Sequence, residues 1–223
     1  LWHGAGCTLR MWDLVVEQLK NLYFTIAFDV RGAGNSINND LNEDTYSFQQ
    51  YSEDLNSILD FLNLDKVHLW SMAWGTRAAI AYASLNPNKV LSAVFSDASI
   101  EIADIDAQRL GSREALSKQD KLGIKRFTLP QGWNVHADKD SAARSLSAAA
   151  KFDLEPAFNQ IDFPFIVMTG DHDPNLSSSK DMVSSSSTGE LKVLENVGHG
   201  SVLQRPDLTS KHFLEWHKKI LGA

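Results

Sequence analysis

The stretch "HLWSMAWGTRAAIAYA", residues 68–83, reads as a strand that runs into a tight turn and leaves along a helix. Chains that do covalent chemistry often present a nucleophile at such a turn. The backbone there is strained, and side chains two positions to either side would collide across it, so both flanks must be small. Two frames compete. With Ser71 at the apex the flanks are Leu69 and Ala73, and leucine has no room. With Ala73 at the apex they are Ser71 and Gly75, both small, and glycine falls where it helps most. The second frame is the better one. It aims a methyl group, with nothing to attack with, at whatever the site holds.

Outward from this turn, β-rich runs alternate with helical patterns almost from end to end, which predicts an α/β fold with a mostly parallel central sheet flanked by helices. "YFTIAFDV" (23–30), "KVHLWS" (66–71), "KVLSAVFSD" (89–97), "FPFIVMTG" (163–170) and "ELKVLEN" (190–196) read as strands. Four of them are too continuously apolar for a half-exposed face, so they belong inside the sheet. "TLRMWDLVVEQLKN", "SFQQYSEDLNSILDFLN", "GTRAAIAYASLNP" and "RPDLTSKHFLEWHKKIL" carry apolar residues at three- and four-residue spacing and read as amphipathic helices. From about Ile100 to Asp162 the alternation stops. Helical fragments flank the turn-prone "LPQGWN" with no convincing strand, which predicts a helical cap over 100–162 inserted into a core of 1–99 and 163–223. The serine clusters at 177–179 and 184–187 read as solvated helix ends or loop.

The 223 residues suffice for one large domain with a substantial core, at 43% hydrophobic and 22% charged content. A formal net charge of −7 argues against a nucleic-acid partner, which a basic face would announce. No apolar run approaches the roughly 20 residues that span a bilayer, so no membrane passage is expected. A single cysteine, Cys7, rules out an internal disulfide framework and fits a reducing compartment, so a cytoplasmic location is the expectation. Leu1 already reads as part of a strand, which places the natural amino terminus upstream.

Several segments together resemble the α/β-hydrolase superfamily. "LWHGAG" (1–6) looks like its His-Gly oxyanion segment, "DVRGAGNS" (29–36) like its Asp-x-Arg-Gly-x-Gly-x-Ser turn, and "SMAWG" (71–75) occupies the nucleophile elbow. "GDHD" (170–173) resembles the Gly-x-x-Asp that delivers the acid, and "VGHGSVLQRP" (197–206) the Gly-His segment before the last helix. The resemblance implies two further strands ahead of the His-Gly segment, which this sequence lacks. It also implies roles. His199 is the expected general base, and Asp173 the acid that orients it, with Asp171 and Asp97 as rivals. The N–H groups of Ala5 and Trp74 are the expected oxyanion hole around an apex occupied by Ala73. His3 and Gly4 would shape the strand end beside the substrate, and Arg31 and Asp29 would tie down their own turn.

The implied reaction is acyl transfer to water from a small ester or lactone, of the kind handled by the 3-oxoadipate enol-lactonase and small-esterase branch, inactive or impaired here because the nucleophile position is Ala73, whether as a serine-to-alanine variant or as a natural relative that has lost catalysis. Phe127 and Trp133 in the cap would help form a modest apolar pocket, while Arg109, Arg113 or Arg144 could meet a substrate carboxylate. A thioesterase, a carbon–carbon bond hydrolase, a cofactor-free oxygenase and a non-catalytic ligand-binding relative remain rival readings. A metal site built from Asp171, His172, Asp173 and His199 is a minor one. The expected partner is a small-molecule substrate, with no cofactor and no metal.

Overall fold

The computed structural model describes residues 1–40, 42–101 and 103–222; Leu41 and Ala223, in the segments expected to form the core, and Ile102, in the segment expected to form a cap, lie outside the described residues. After a 3-10 turn over Leu9–Trp12 come α1 (Asp13–Leu19), α2 (Phe48–Phe61), β1 (Val67–Met72), α3 (Trp74–Leu85) and β2 (Val90–Ser96). Then follow α4 (Ile105–Lys121), α5 (Lys139–Ser145), a 3-10 stretch over Leu146–Lys151 and α6 (Leu154–Phe158). β3 (Phe165–Gly170), α7 (Leu176–Ser184), β4 (Gly189–Leu194), α8 (Ser201–Gln204) and α9 (Pro206–Ile220) close the chain. The four strands pair in parallel in the order β1-β2-β3-β4. This is the expected α/β architecture.

Successive strand residues feed opposite cores, as the two-residue period of a strand requires. Leu69, Phe95, Phe165 and Val167 join a cluster with Phe48, Tyr51, Leu55, Leu59, Ile80 and Tyr82 from α2 and α3. Their neighbours Trp70, Val94, Ile166 and Met168 face Trp12, Val15, Phe213 and Trp216 from the opposite layer. A sheet covered on both sides has no room for polar alternation, which explains the continuous apolar runs. The helices begin where local chemistry says they should: Ser47 Oγ accepts the Gln50 N–H at the start of α2, and Pro206 opens α9.

Three expectations need correction. The amino-terminal residues, read as a strand from Leu1, form no strand; only Trp2 makes isolated bridges, to Phe28 and Ser71. The strand predicted over 23–30 is not formed; Phe28 makes one parallel bridge to Trp2, which in turn bridges Ser71 in β1. A ladder needs successive bridges, and beyond Phe28 no strand among the described residues continues the sheet, so Phe24 is left exposed. The serines at 177–179 are not solvated loop. They lie in α7, with Ser178 and Ser179 buried, and Ser179 Oγ donates to Ala98 O (2.9 Å) beside Thr169 Oγ1 (2.7 Å). Those partners remove the cost of burying a hydroxyl.

Gly75 shows how tightly α3 lies against the Leu1–Gly4 segment. A Cβ there would strike the carbonyl oxygen of His3 and stand 2.7 Å from that of Trp2, both backbone atoms that cannot swing aside. Gly75→Ala is therefore expected to destabilise the fold by on the order of 2 kcal/mol, despite alanine's better helix propensity. A urea midpoint unchanged from the parent would contradict this packing.

Candidate active site

β1 ends at Met72, and the chain reverses at Ala73 with φ 51° and ψ −113°. A non-glycine residue holds such a conformation only where its surroundings over-determine it, at a cost of roughly 1–3 kcal/mol. Here the Ala73 N–H donates to Ser96 O (2.8 Å) and Ala73 O accepts the Thr76 N–H (2.9 Å), while Gly75 locks α3 beneath the strand end. Ser71, the competing apex, is an interior strand residue. It is fully buried, with Oγ 3.1 Å from Thr76 Oγ1 and 3.4 Å from Val94 O. Ala73 is the residue at the turn.

Three carboxylates were candidates to pair with His199, and their partners now differ. Asp173 has no exposed side-chain surface; its Oδ2 accepts His199 Nδ1–H (2.9 Å) and its Oδ1 the Asn175 N–H (3.0 Å). Asp171 instead accepts His172 Nδ1–H (2.6 Å) and the Val197 N–H (3.2 Å). The four residues considered as a metal cluster thus split into two separate pairs. With Nδ1 committed to Asp173, Nε2 of His199 has no partner among the described residues.

Asp97 has a third role. It follows β2 with φ 53°, is wholly buried, and its Oδ2 accepts the N–H groups of Gly200 (2.9 Å) and Ser201 (2.7 Å) next to His199. Its Oδ1 has no partner among the described residues. Burial, reinforced by the nearby Asp173 charge, pushes the Asp97 carboxyl up to about 7. Donor atoms of Asp97, Asp173 and His199 lie within 4.8 Å of one another, but those that form hydrogen bonds are spent on each other and on backbone N–H groups. Burial alone would lower His199; the bond to Asp173 and the charges of Asp97 and Asp173 outweigh it and raise the ring above 6.5.

The loop carrying His199 is clamped from above by α4. Ser112 Oγ and Gln204 Nε2 both donate to His199 O (3.0 and 2.8 Å), and Gln119 Nε2 donates to Asn196 O (2.7 Å). Contact is close enough that a Cβ on Gly198 would stand 2.5 Å from Ser112 Cα, and one on Gly111 would strike His172 O.

On the other flank, His3 is buried with both ring nitrogens committed: Nε2 accepts the Val30 N–H (3.1 Å) and Nδ1–H donates to Gly4 O (2.9 Å). Ala5 is exposed, and its N–H has no partner among the described residues. Trp74 opens α3, where a first-turn N–H has no intrahelical acceptor, and its indole donates to Leu146 O (3.2 Å). Trp133 packs half-buried against the core cluster that holds Cys7, whereas Phe127 is exposed and joins neither core cluster. Arg109 pairs with Asp106 on the surface, Arg113 is exposed on α4, and the charge of Arg144 acts on Tyr46. Arg31 is held by Asp54 through Nε (3.0 Å) and Nη2 (2.5 Å). Burial pushes the Cys7 thiol up to about 12, as suits a packed, unreactive residue. Sequence reading passes over His136, Ser112 and Gln119; a histidine or serine whose partner is a distant main-chain atom has no local signature.

A family model described as alpha/beta hydrolase fold matches residues 1–135. The chain is 24% identical to 3-oxoadipate enol-lactonase 1 of Acinetobacter baylyi, over 98% of this chain and 87% of that one. It is 28% identical to a proline iminopeptidase of Lactobacillus delbrueckii over 61% of this chain and 50% of the relative. The solved enol-lactonase from Burkholderia xenovorans superposes with a TM-score of 0.77 at 19% identity, covering 97% of this chain and 89% of the other. No helix among the described residues is long and apolar enough to cross a membrane.

The buried Asp97 makes stability depend on pH in a defined direction. A carboxyl whose folded pKa lies near 7, against 3.8 unfolded, binds a proton more tightly in the fold. Its stabilising contribution is complete below 3.8 and is lost as pH rises through about 7. Asp97→Asn mimics the protonated form, so its stability relative to the parent should improve by more than about 1 kcal/mol between pH 5 and pH 8 in urea unfolding. An equal difference at both pH values would contradict the assignment.

Proposed function

Because the chain belongs to the alpha/beta hydrolase fold family, whose model covers more than half its length, we propose that its site is built to hydrolyse small carboxylic esters or lactones and that Ala73 stands where the nucleophile belongs. The observation that carries this reading is the pairing of a fully buried Asp173 with His199 Nδ1, which leaves Nε2 without a partner among the described residues in a chain whose turn apex is a methyl group. A buried carboxylate that fixes the imidazole tautomer is the arrangement a serine nucleophile needs.

With a hydroxyl at the apex, Oγ adds to the substrate carbonyl carbon as its proton passes to His199 Nε2. The tetrahedral oxyanion is met by the N–H groups of Ala5 and Trp74. Collapse expels the alkoxide, which takes the proton from His199, and leaves an acyl-enzyme that water cleaves by the same route. Asp173 orients the ring and balances its charge. His3 and Gly4 support the strand end under the acyl group, and the 100–162 cap, with Trp133 and Phe127, selects the substrate. Ala73 lets the chain hold such a molecule without acylation, and this residue equally favours a second reading, a ligand-binding relative that uses the same site without chemistry.

Ala73→Ser is expected to create hydrolysis of a short p-nitrophenyl ester and labelling by a fluorophosphonate probe, and a further His199→Ala change should remove at least about a thousandfold of that rate. If the serine variant neither turns over nor labels, the binding reading replaces the catalytic one. The rate should climb with pH as His199 loses its proton, with a midpoint above 6.5. Asp97→Asn in the same background should bring that midpoint down, since the Asp97 charge helps hold it up; a midpoint that does not move would count against that coupling.

A further inference from the structure

The segment joining α4 to α5 does more than cover the site. Thr8 N–H and Thr8 Oγ1 donate to Trp133 O (2.7 Å) and Gly132 O (2.8 Å), and the Ala137 N–H donates to Gly34 O (2.8 Å). Between these lies His136. Its Nδ1 accepts the Gly34 N–H (2.9 Å), and its Nε2 stands 3.2 Å from Gly6 O. A backbone N–H can only donate and a carbonyl can only accept, so both contacts hold together only for the neutral ring with hydrogen on Nε2. The ring thereby ties the 4–8 loop to the 29–36 turn.

His3 makes the same kind of bridge from inside, between the Val30 N–H and Gly4 O. Asp29 adds a third, accepting the N–H groups of Leu9 through Oδ1 (2.6 Å) and Asn35 through Oδ2 (3.3 Å). Gly4 O and the Ala5 N–H belong to one planar trans peptide, so whatever holds that carbonyl aims that N–H. Gly4 O accepts His3 Nδ1–H and the Cys7 N–H (3.2 Å). On the outer side, Gly6 and Gly34 both have left-handed φ, +65° and +53°, and nothing lies within 4 Å of where a Gly6 Cβ would sit. The Gly6 backbone therefore takes its orientation from its partners, and His136 is one of them.

We infer that His136 is a positioning residue for the Ala5 N–H, clamping the 4–8 loop to the 29–36 turn so that this donor faces the reacting carbonyl. The inference rests on the proposed role of Ala5 in the oxyanion hole. Displacement of a donor by about 1 Å can cost a hundredfold in rate without loss of the fold.

In the Ala73→Ser background, His136→Ala should lower kcat for a short p-nitrophenyl ester by about 10- to 100-fold with KM changed less than about threefold. His136→Asn keeps an acceptor for the Gly34 N–H and should recover part of the loss. In the chain as it stands, His136→Ala should speed amide hydrogen exchange at Gly34 at least about tenfold while the global urea midpoint stays close to the parent's. Unchanged exchange at Gly34 would remove the clamp, and faster exchange with unchanged kcat would remove its role in positioning. If Ala73→Ser shows no hydrolysis, the catalytic reading fails and the positioning claim fails with it, whereas the exchange rates still decide whether the clamp exists.

Discussion

The contact between the start of α3 and the end of the Leu1–Gly4 segment is the constraint on which the rest of the site depends. Ala73 can hold its left-handed φ only because the chain is fixed on both sides. Behind it, β1 is hydrogen-bonded to β2 and to Trp2; ahead of it, Gly75 lies directly on the carbonyls of Trp2 and His3. One glycine hydrogen replaced by a methyl would push the helix off the Leu1–Gly4 segment. The same close approach fixes the start of α3, and with it Trp74, beside the segment that leads into Ala5.

Around this contact the molecule uses side chains to hold main chain. Asp97 caps Gly200 and Ser201, His3 and His136 bridge two loops, and Ser112, Gln119 and Gln204 hold carbonyls of the His199 loop. Loops that cross the ends of parallel strands leave backbone groups without sheet or helix partners, and such groups must be satisfied where they are buried. The cost is a set of buried polar atoms with little tolerance for change. Asp97 is the extreme case, with one oxygen accepting hydrogen bonds from two N–H groups and the other without a partner among the described residues.

The segment between β2 and β3 belongs to this framework as much as to the covering of the site. α4 presses on the loops of His172 and His199 through Gly111 and Gly198, and residues 132–137 are joined to the 4–8 loop and the 29–36 turn. A segment attached at both flanks is held against the loops it touches, so changes in it are felt by those loops.

Much was legible in the order of residues. Continuous apolar runs mark strands covered on both faces, because a doubly covered sheet excludes polar alternation, and three- and four-residue periodicity marks the amphipathic helices. The apex at Ala73 could be read locally as well, because the steric rule for such a turn involves residues only two positions apart. What the sequence alone left open required distance. Asp97, Asp171 and Asp173 are chemically alike, and only the fold shows that Asp173 meets His199, that Asp171 turns to His172 and that Asp97 caps the loop behind them. The 23–30 run has every local mark of a strand yet forms one bridge, because a strand exists only through its neighbours. His136 carries no local mark at all, since its two partners lie 102 and 130 residues away in the chain. Local sterics and periodicity are properties of neighbouring residues; the partners of a polar side chain are properties of the folded whole.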